Sequence, residues 1–157
     1  MTGYTVFRLI HSYWRWVVLA CAIVVLVRSI SGLTSRRGWT GGDARASRLF
    51  VIAVDVQLLL GLILYFVFSP FWNAMHGSFH AAMKDPITRF FGMEHGVAML
   101  LALVAVHVGA VRARRATDAA AKHRALLITT VIFFALALVG MPWPWRPMGR
   151  PLFRLSL

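Results

Sequence analysis

Residues 87–111 read I-T-R-F-F-G-M-E-H-G-V-A-M-L-L-A-L-V-A-V-H-V-G-A-V and run into a basic cluster, Arg112, Arg114 and Arg115. About 20 predominantly apolar residues in a helix cover a hydrocarbon core of roughly 30 Å, so this stretch has the length and character of a bilayer-spanning helix. It nevertheless carries Glu94, His95 and His107. An ionisable group at membrane depth is costly unless it faces a partner or a cavity. Each of the three is therefore a candidate site residue whose partners must be sought elsewhere in the chain.

The composition agrees with a membrane protein. Of 157 residues 59% are hydrophobic and only 14% are charged, which a soluble domain of this size would struggle to keep in solution. A net charge of +12 is compatible with nucleic-acid binding, but the basic residues cluster at the ends of apolar runs, where they anchor helices, and no nucleic-acid role is read from them. The single cysteine, Cys21, excludes an internal disulfide and any cysteine-ligated zinc or iron–sulfur site. No signal peptide or lipid anchor is expected, because Arg8, His11 and Arg15 precede Cys21 and the apolar run continues past it.

Working outward from the central stretch, the pattern predicts an all-α, four-span transmembrane helix bundle in one membrane domain, residues 1–157. The spans cover about 7–28, 49–68, 87–111 and 125–141. Residues 29–47 read as a solvent loop. Residues 70–86, bounded by Pro70 and Pro86, read as a short amphipathic helix on the membrane surface. Ten of the 17 Lys and Arg residues lie in the connections after spans one and three. The positive-inside rule therefore places both termini and residues 70–86 outside.

In span one, Arg8, His11 and Arg15 recur at i, i+3 and i+7 and form one stripe, which must face protein or a cofactor. Tyr13, Trp14 and Trp16 suit an aromatic belt at the interface. His11 lies 17 residues before Arg28, and His95 lies 17 before Arg112. With spans one and three parallel, both imidazoles then sit at one depth, roughly 25 Å from the inner face. Two histidines level with each other on two helices are what axial ligation of one haem iron inside a bundle requires. Gly92 and Gly96 flank His95 and leave room for a flat macrocycle, or else form a small-residue helix contact. Arg8, Arg15 and Arg89 share the outer layer and have the fork geometry to bind haem propionates, or alternatively to pair with Glu94 or reach headgroups.

The sequence H-S-Y-W-R-W at residues 11–16 and M-E-H-G at 93–96 resemble small four-helix b-type cytochromes of bacterial membranes, the group related to hydrogenase cytochrome b subunits and superoxide oxidase. The resemblance implies one haem b, electron transfer between a quinol or an outer-face donor and an acceptor, and residence in the bacterial inner membrane. It further implies partnership with quinone and with other membrane or periplasmic redox subunits. Such proteins often hold two haems on four in-membrane histidines, whereas His11, His95 and His107 alone lie within spans here.

Three further groups have chemistry to offer. Asp55 and His107 fall in a similar layer and form a pair for proton movement or for a quinone head group, an ordinary inter-helix hydrogen bond, or, for Asp55, a partner of Arg28. His123, at the mouth of span four, is a second candidate to join His107 on another haem. In the outer connection His76, His80 and Met83 follow i, i+4 and i+7, with Met75 nearby, and thioether plus imidazole suits copper; headgroup contact is the plainer reading. The rival functions are thus a haem-free assembly subunit of a membrane complex and a copper-handling membrane protein.

Overall fold

The computed structural model describes residues 3–153. Helix α1 covers Gly3–Thr34 and α2 Gly41–Ile63, α2 continuing as a π-helical turn, Leu64–Phe68. Short helices α3 (Pro70–Gly77), α4 (Phe79–Lys84) and α5 (Pro86–Arg89) follow. A second π-helical turn, Phe90–Glu94, joins α5 to α6 (His95–Arg115), and α7 covers Ala119–Gly140. No strand occurs among the described residues. Four helical rods, 3–34, 41–68, 86–115 and 119–140, are each long and apolar enough to cross a membrane. The chain is an all-α, four-helix, multi-pass bundle.

Small side chains recur at the helix contacts, beside a few buried large ones such as Phe50, Phe90 and Phe133. Ala22, Ala53, Ala98, Ala102, Ala113 and Ala137 are buried, while Val27, Leu59, Leu101, Val131 and Leu138 lie about half exposed on the outer surface. Lipid tails are as apolar as leucine, so burying large apolar groups gains little; small residues at the interfaces let backbones approach and gain dispersion contacts instead. Gly109 shows how close α6 and α7 come, because a Cβ there would lie 2.0 Å from Thr129 Oγ1. The helices form a ring in which α1 packs on α2 and α7, and α6 packs extensively on α7 but sparingly on α2. The seam between α2 and α6 is therefore the loosest in the ring.

The first connection is much shorter than the solvent loop expected over 29–47, for α1 runs on to Thr34 and α2 starts at Gly41. Both ends are held by specific caps. Arg37 N–H bonds Gly32 O and Arg36 N–H bonds Leu33 O, a Schellman arrangement with Arg36 at φ 49° in the position glycine usually takes. At the start of α2, Thr40 and Asp43 make a reciprocal capping box. Asp43 is 1% exposed and also accepts from Arg28 Nε at 2.9 Å and from Arg37 Nη1 and Nη2 at 2.7 and 2.8 Å. Arg28 is thereby committed to Asp43, not to Asp55.

The 70–86 connection is two helices. Ser78 breaks it with φ −157° and ψ 98°, and its hydroxyl accepts from Ala81 N–H to cap α4. Asp85 then caps α5, with Pro86 at the first helical position. The Thr88 side chain and backbone N–H hold its carboxyl below the usual carboxylate range.

Two substitutions test the first connection. Asp43→Ala strands two arginines at a helix junction and should lower stability in detergent by about 3 kcal/mol, the lower end for a broken buried pair because both arginines retain some access to water. Arg36→Gly should raise it by about 1 kcal/mol, since glycine enters the left-handed region without a Cβ clash. Thermal unfolding followed by circular dichroism reads both; an unchanged midpoint in Asp43→Ala would refute the clasp.

Candidate functional site

A cavity of about 470 Å³ lies in the half of the bundle that carries both described termini, between α1, α2, α6 and the two π-helical turns. That size falls within the roughly 300–1,000 Å³ of ligand and cofactor pockets. The arginine and histidine stripe of α1 faces it, for Arg8, His11 and Arg15 all line its wall. So do Gln57 and Gly61 of α2, Tyr65 of the first π turn, Gly92 of the second, His95 and Gly96 of α6, and Arg150 of the C-terminal segment. Leu62, Val97 and Leu100 line it too while being 40–52% exposed, so the cavity opens sideways through the α2/α6 seam.

The π turns shape this space. Each inserts a residue's worth of extra rotation into its rod, and such turns recur where a helix must re-aim side chains at a functional site. Here the Tyr65 hydroxyl donates to Gly92 O at 2.5 Å and ties the two turns together, and His95 follows the second directly. The two glycines beside His95 serve different ends. A Cβ on Gly92 would strike Met75 Cγ at 2.8 Å, so its smallness admits the connection helix; a Cβ on Gly96 would meet nothing within 4 Å.

His11 and His95 come together across the cavity, ring centres 6.3 Å apart and planes at 77°. His95 Nδ1 lies 2.6 Å from the carbonyl oxygen of Gly140, which can only accept, so Nδ1 is the donor and a neutral ring keeps its lone pair on Nε2. His11 is held by Gln57, whose amide donates to the His11 backbone carbonyl at 3.1 Å and stands 3.3 Å from His11 Nε2. His11 Nδ1, Gln57 Oε1 and Arg8 Nε are buried with no hydrogen-bond partner among the described residues. Buried polar atoms are seldom left so. Gathered round one cavity, they mark a place for a polar or metal-bearing ligand.

The arginines divide. Arg89 is bound to Glu94, Nε to Oε1 at 2.6 Å, and does not line the cavity. Arg8 lies over Tyr4, its guanidinium 5.0 Å from the ring centre. Arg15 Nη2 donates to Leu152 O at 2.8 Å. This bond, with Trp16 stacked on Phe153 at 4.9 Å and Arg150 4.8 Å over Phe91, folds the segment after Met141 onto the mouth of the cavity. Arg150 is a lining residue that sequence reasoning missed, since nothing periodic leads to it. Trp14, expected in an interfacial belt, instead donates from Nε1 to Ala53 O at 2.9 Å inside the α1/α2 contact.

The remaining candidates lie apart from this centre. His107 Nε2 is 2.8 Å from Asp55 Oδ1 across the α2/α6 seam. His123 is buried against α1 at Gly32 and against Trp39, ring centres 5.1 Å apart. The two histidines therefore sit in different seams. His76 and His80 fall on separate helices either side of the Ser78 break, so the single face expected for copper does not form, and His76 packs on Trp72 at 4.1 Å. Among the described residues no three His, Cys, Asp or Glu side chains gather to hold a metal ion. Compared with protein-family models, with curated proteins and with solved structures, the chain matches none.

Proposed function

We propose that this chain is a membrane haem b cytochrome, with His11 and His95 as the axial pair, that carries electrons between a quinol or outer-face donor and an acceptor. The observation that carries the reading is the spacing of the two imidazoles. His11 and His95 would hold the iron between them, and a short separation of the two rings across the cavity is what that would require. His11 and His95 are 6.3 Å apart. Their rings border a cavity of cofactor size that also presents a glycine without a Cβ neighbour, Gly96, and three arginines.

Haem supplies a one-electron iron couple when bound. The chain's own groups supply its setting. The Gly140 carbonyl orients the His95 ring through Nδ1, the outer-shell role usual for a ligating histidine. Gln57 orients His11 through its backbone. Arg8, Arg15 and Arg150 offer charge to propionates, whereas Arg89 is already engaged by Glu94. The basic connections at the opposite end support, by the positive-inside rule, a periplasmic position for both termini in a bacterial inner membrane. There the protein serves as a small redox module or as one subunit among other redox chains.

The purified protein should show a low-spin, six-coordinate b-type spectrum, and acid acetone should extract the haem, because the chain has no C-x-x-C-H attachment sequence. Substituting either His11 or His95 with Ala should give a pentacoordinate or haem-free protein, while His107→Ala and His123→Ala leave this centre low-spin. A wild type that stays colourless with excess haem would overturn the reading.

Arg15→Gln should retain the haem and lower its midpoint potential by on the order of tens of millivolts, since a nearby positive charge favours the added electron. Redox titration followed optically measures the shift; an unchanged or raised potential would show that Arg15 does not act on the iron.

A further inference from the structure

We propose that the His107–Asp55 pair is a lateral binding site for the headgroup of a lipid-soluble quinone. The two side chains are joined at 2.8 Å and yet remain 43% and 44% exposed. Both belong to rods long and apolar enough to cross a membrane, and in a bilayer the exposed side of the pair would face hydrocarbon. A polar pair half open to lipid is costly unless something with complementary hydrogen bonds covers it. Ile52, Leu59 and Val104, one helical turn from the pair, are themselves 48–59% exposed and offer an apolar surround for a prenyl-type tail.

The pair's unused atoms fit both forms of such a carrier. His107 Nε2 and Asp55 Oδ1 are spent on each other, while His107 Nδ1 and Asp55 Oδ2 make no hydrogen bond recorded among the described residues. A protonated ring donates from Nδ1 to a quinone carbonyl; a neutral ring accepts there from a quinol hydroxyl. The free carboxylate oxygen accepts a second hydroxyl. Neither phospholipid tails nor an apolar helix face has donors and acceptors to offer.

The position also suits a donor. Val54, Leu58 and Leu103 line the floor of the 470 Å³ cavity, and they are the chain neighbour or helical-turn neighbours of Asp55 and His107. A headgroup at the pair is thus separated from the cavity by a single layer of aliphatic side chains, along the same loose α2/α6 seam. The use made of the carrier rests on the electron-transfer reading above, but its binding does not.

The test uses the full chain in lipid nanodiscs with a photoreactive azidobenzoquinone bearing a decyl tail, and decylubiquinone as competitor. Peptide mapping should find label within residues 51–59 and 103–111, and decylubiquinone should suppress it. Labelling should fall at least about tenfold in His107→Leu and Asp55→Leu, the loss of a hydrogen bond to a charged group. It should fall less in Asp55→Asn, which keeps an acceptor for the ring and serves as the folding control, and it should persist in His11→Ala. Label that maps instead to the peptides carrying His11 or Tyr65, or that ignores both leucine variants, overturns the proposal by putting the quinone in the cavity or nowhere specific. Cross-links joining residue 55 of one chain to residue 107 of another also overturn it, because a second copy would then cover the pair. A colourless protein that still labels at the pair would retain this site and remove the haem.

Discussion

Inside a bilayer a polar side chain has no water to fall back on, and this requirement disposes the polar groups of the whole bundle. Asp43 collects two arginines and the threonine of its own capping box. Trp14 finds a backbone carbonyl on the neighbouring helix, His95 finds one on α7, and Gln57 finds one on α1. The bonds of Trp14, His95 and Gln57, and that of Arg28 to Asp43, cross from one rod to another. Together they pin helices whose apolar surfaces, matched by the lipid itself, give little reason to choose one register over another.

Where this satisfaction stops is as informative as where it holds. Around the cavity, His11 Nδ1, Gln57 Oε1 and Arg8 Nε are buried without partners. Folding alone gives no return for leaving three such atoms together, and a ligand that completes them does. The cavity itself follows from uneven packing. Gly109 lets α6 and α7 meet almost backbone to backbone, whereas α2 and α6 stand apart, bridged chiefly by Tyr65 to Gly92 near one end and by Asp55 to His107 farther along. The same looseness that makes room for the cavity leaves Leu62, Val97 and Leu100 at the outer surface of the seam.

This arrangement couples the two polar centres without merging them. The imidazole pair faces across the cavity from α1 to α6, the acid–imidazole pair joins α2 to α6, and the side chains of the second are 43% and 44% exposed. The first is closed from above by the segment after Met141, through Arg15 to Leu152 and Trp16 against Phe153. Access from the aqueous end is therefore restricted by protein, while access from the bilayer passes Leu62, Val97 and Leu100. Lipid-soluble molecules have the easier approach.

The sequence by itself determined what depends on position within one helix. Apolar run length marked the four crossings, and a rise of about 1.5 Å per residue set His11 level with His95 and Asp55 near the layer of His107. The i, i+3, i+7 spacing put Arg8, His11 and Arg15 on one wall, where the cavity now lies. Tertiary structure decided everything that depends on which helix stands beside which. It gave Arg150 to the cavity, drew Trp14 from the interface expected for it into a helix contact, and committed Arg28 to Asp43. It also folded a proline-rich tail without periodicity over the mouth of the site. Such choices are made by side-chain packing between distant elements, and no local repeat in the chain encodes them.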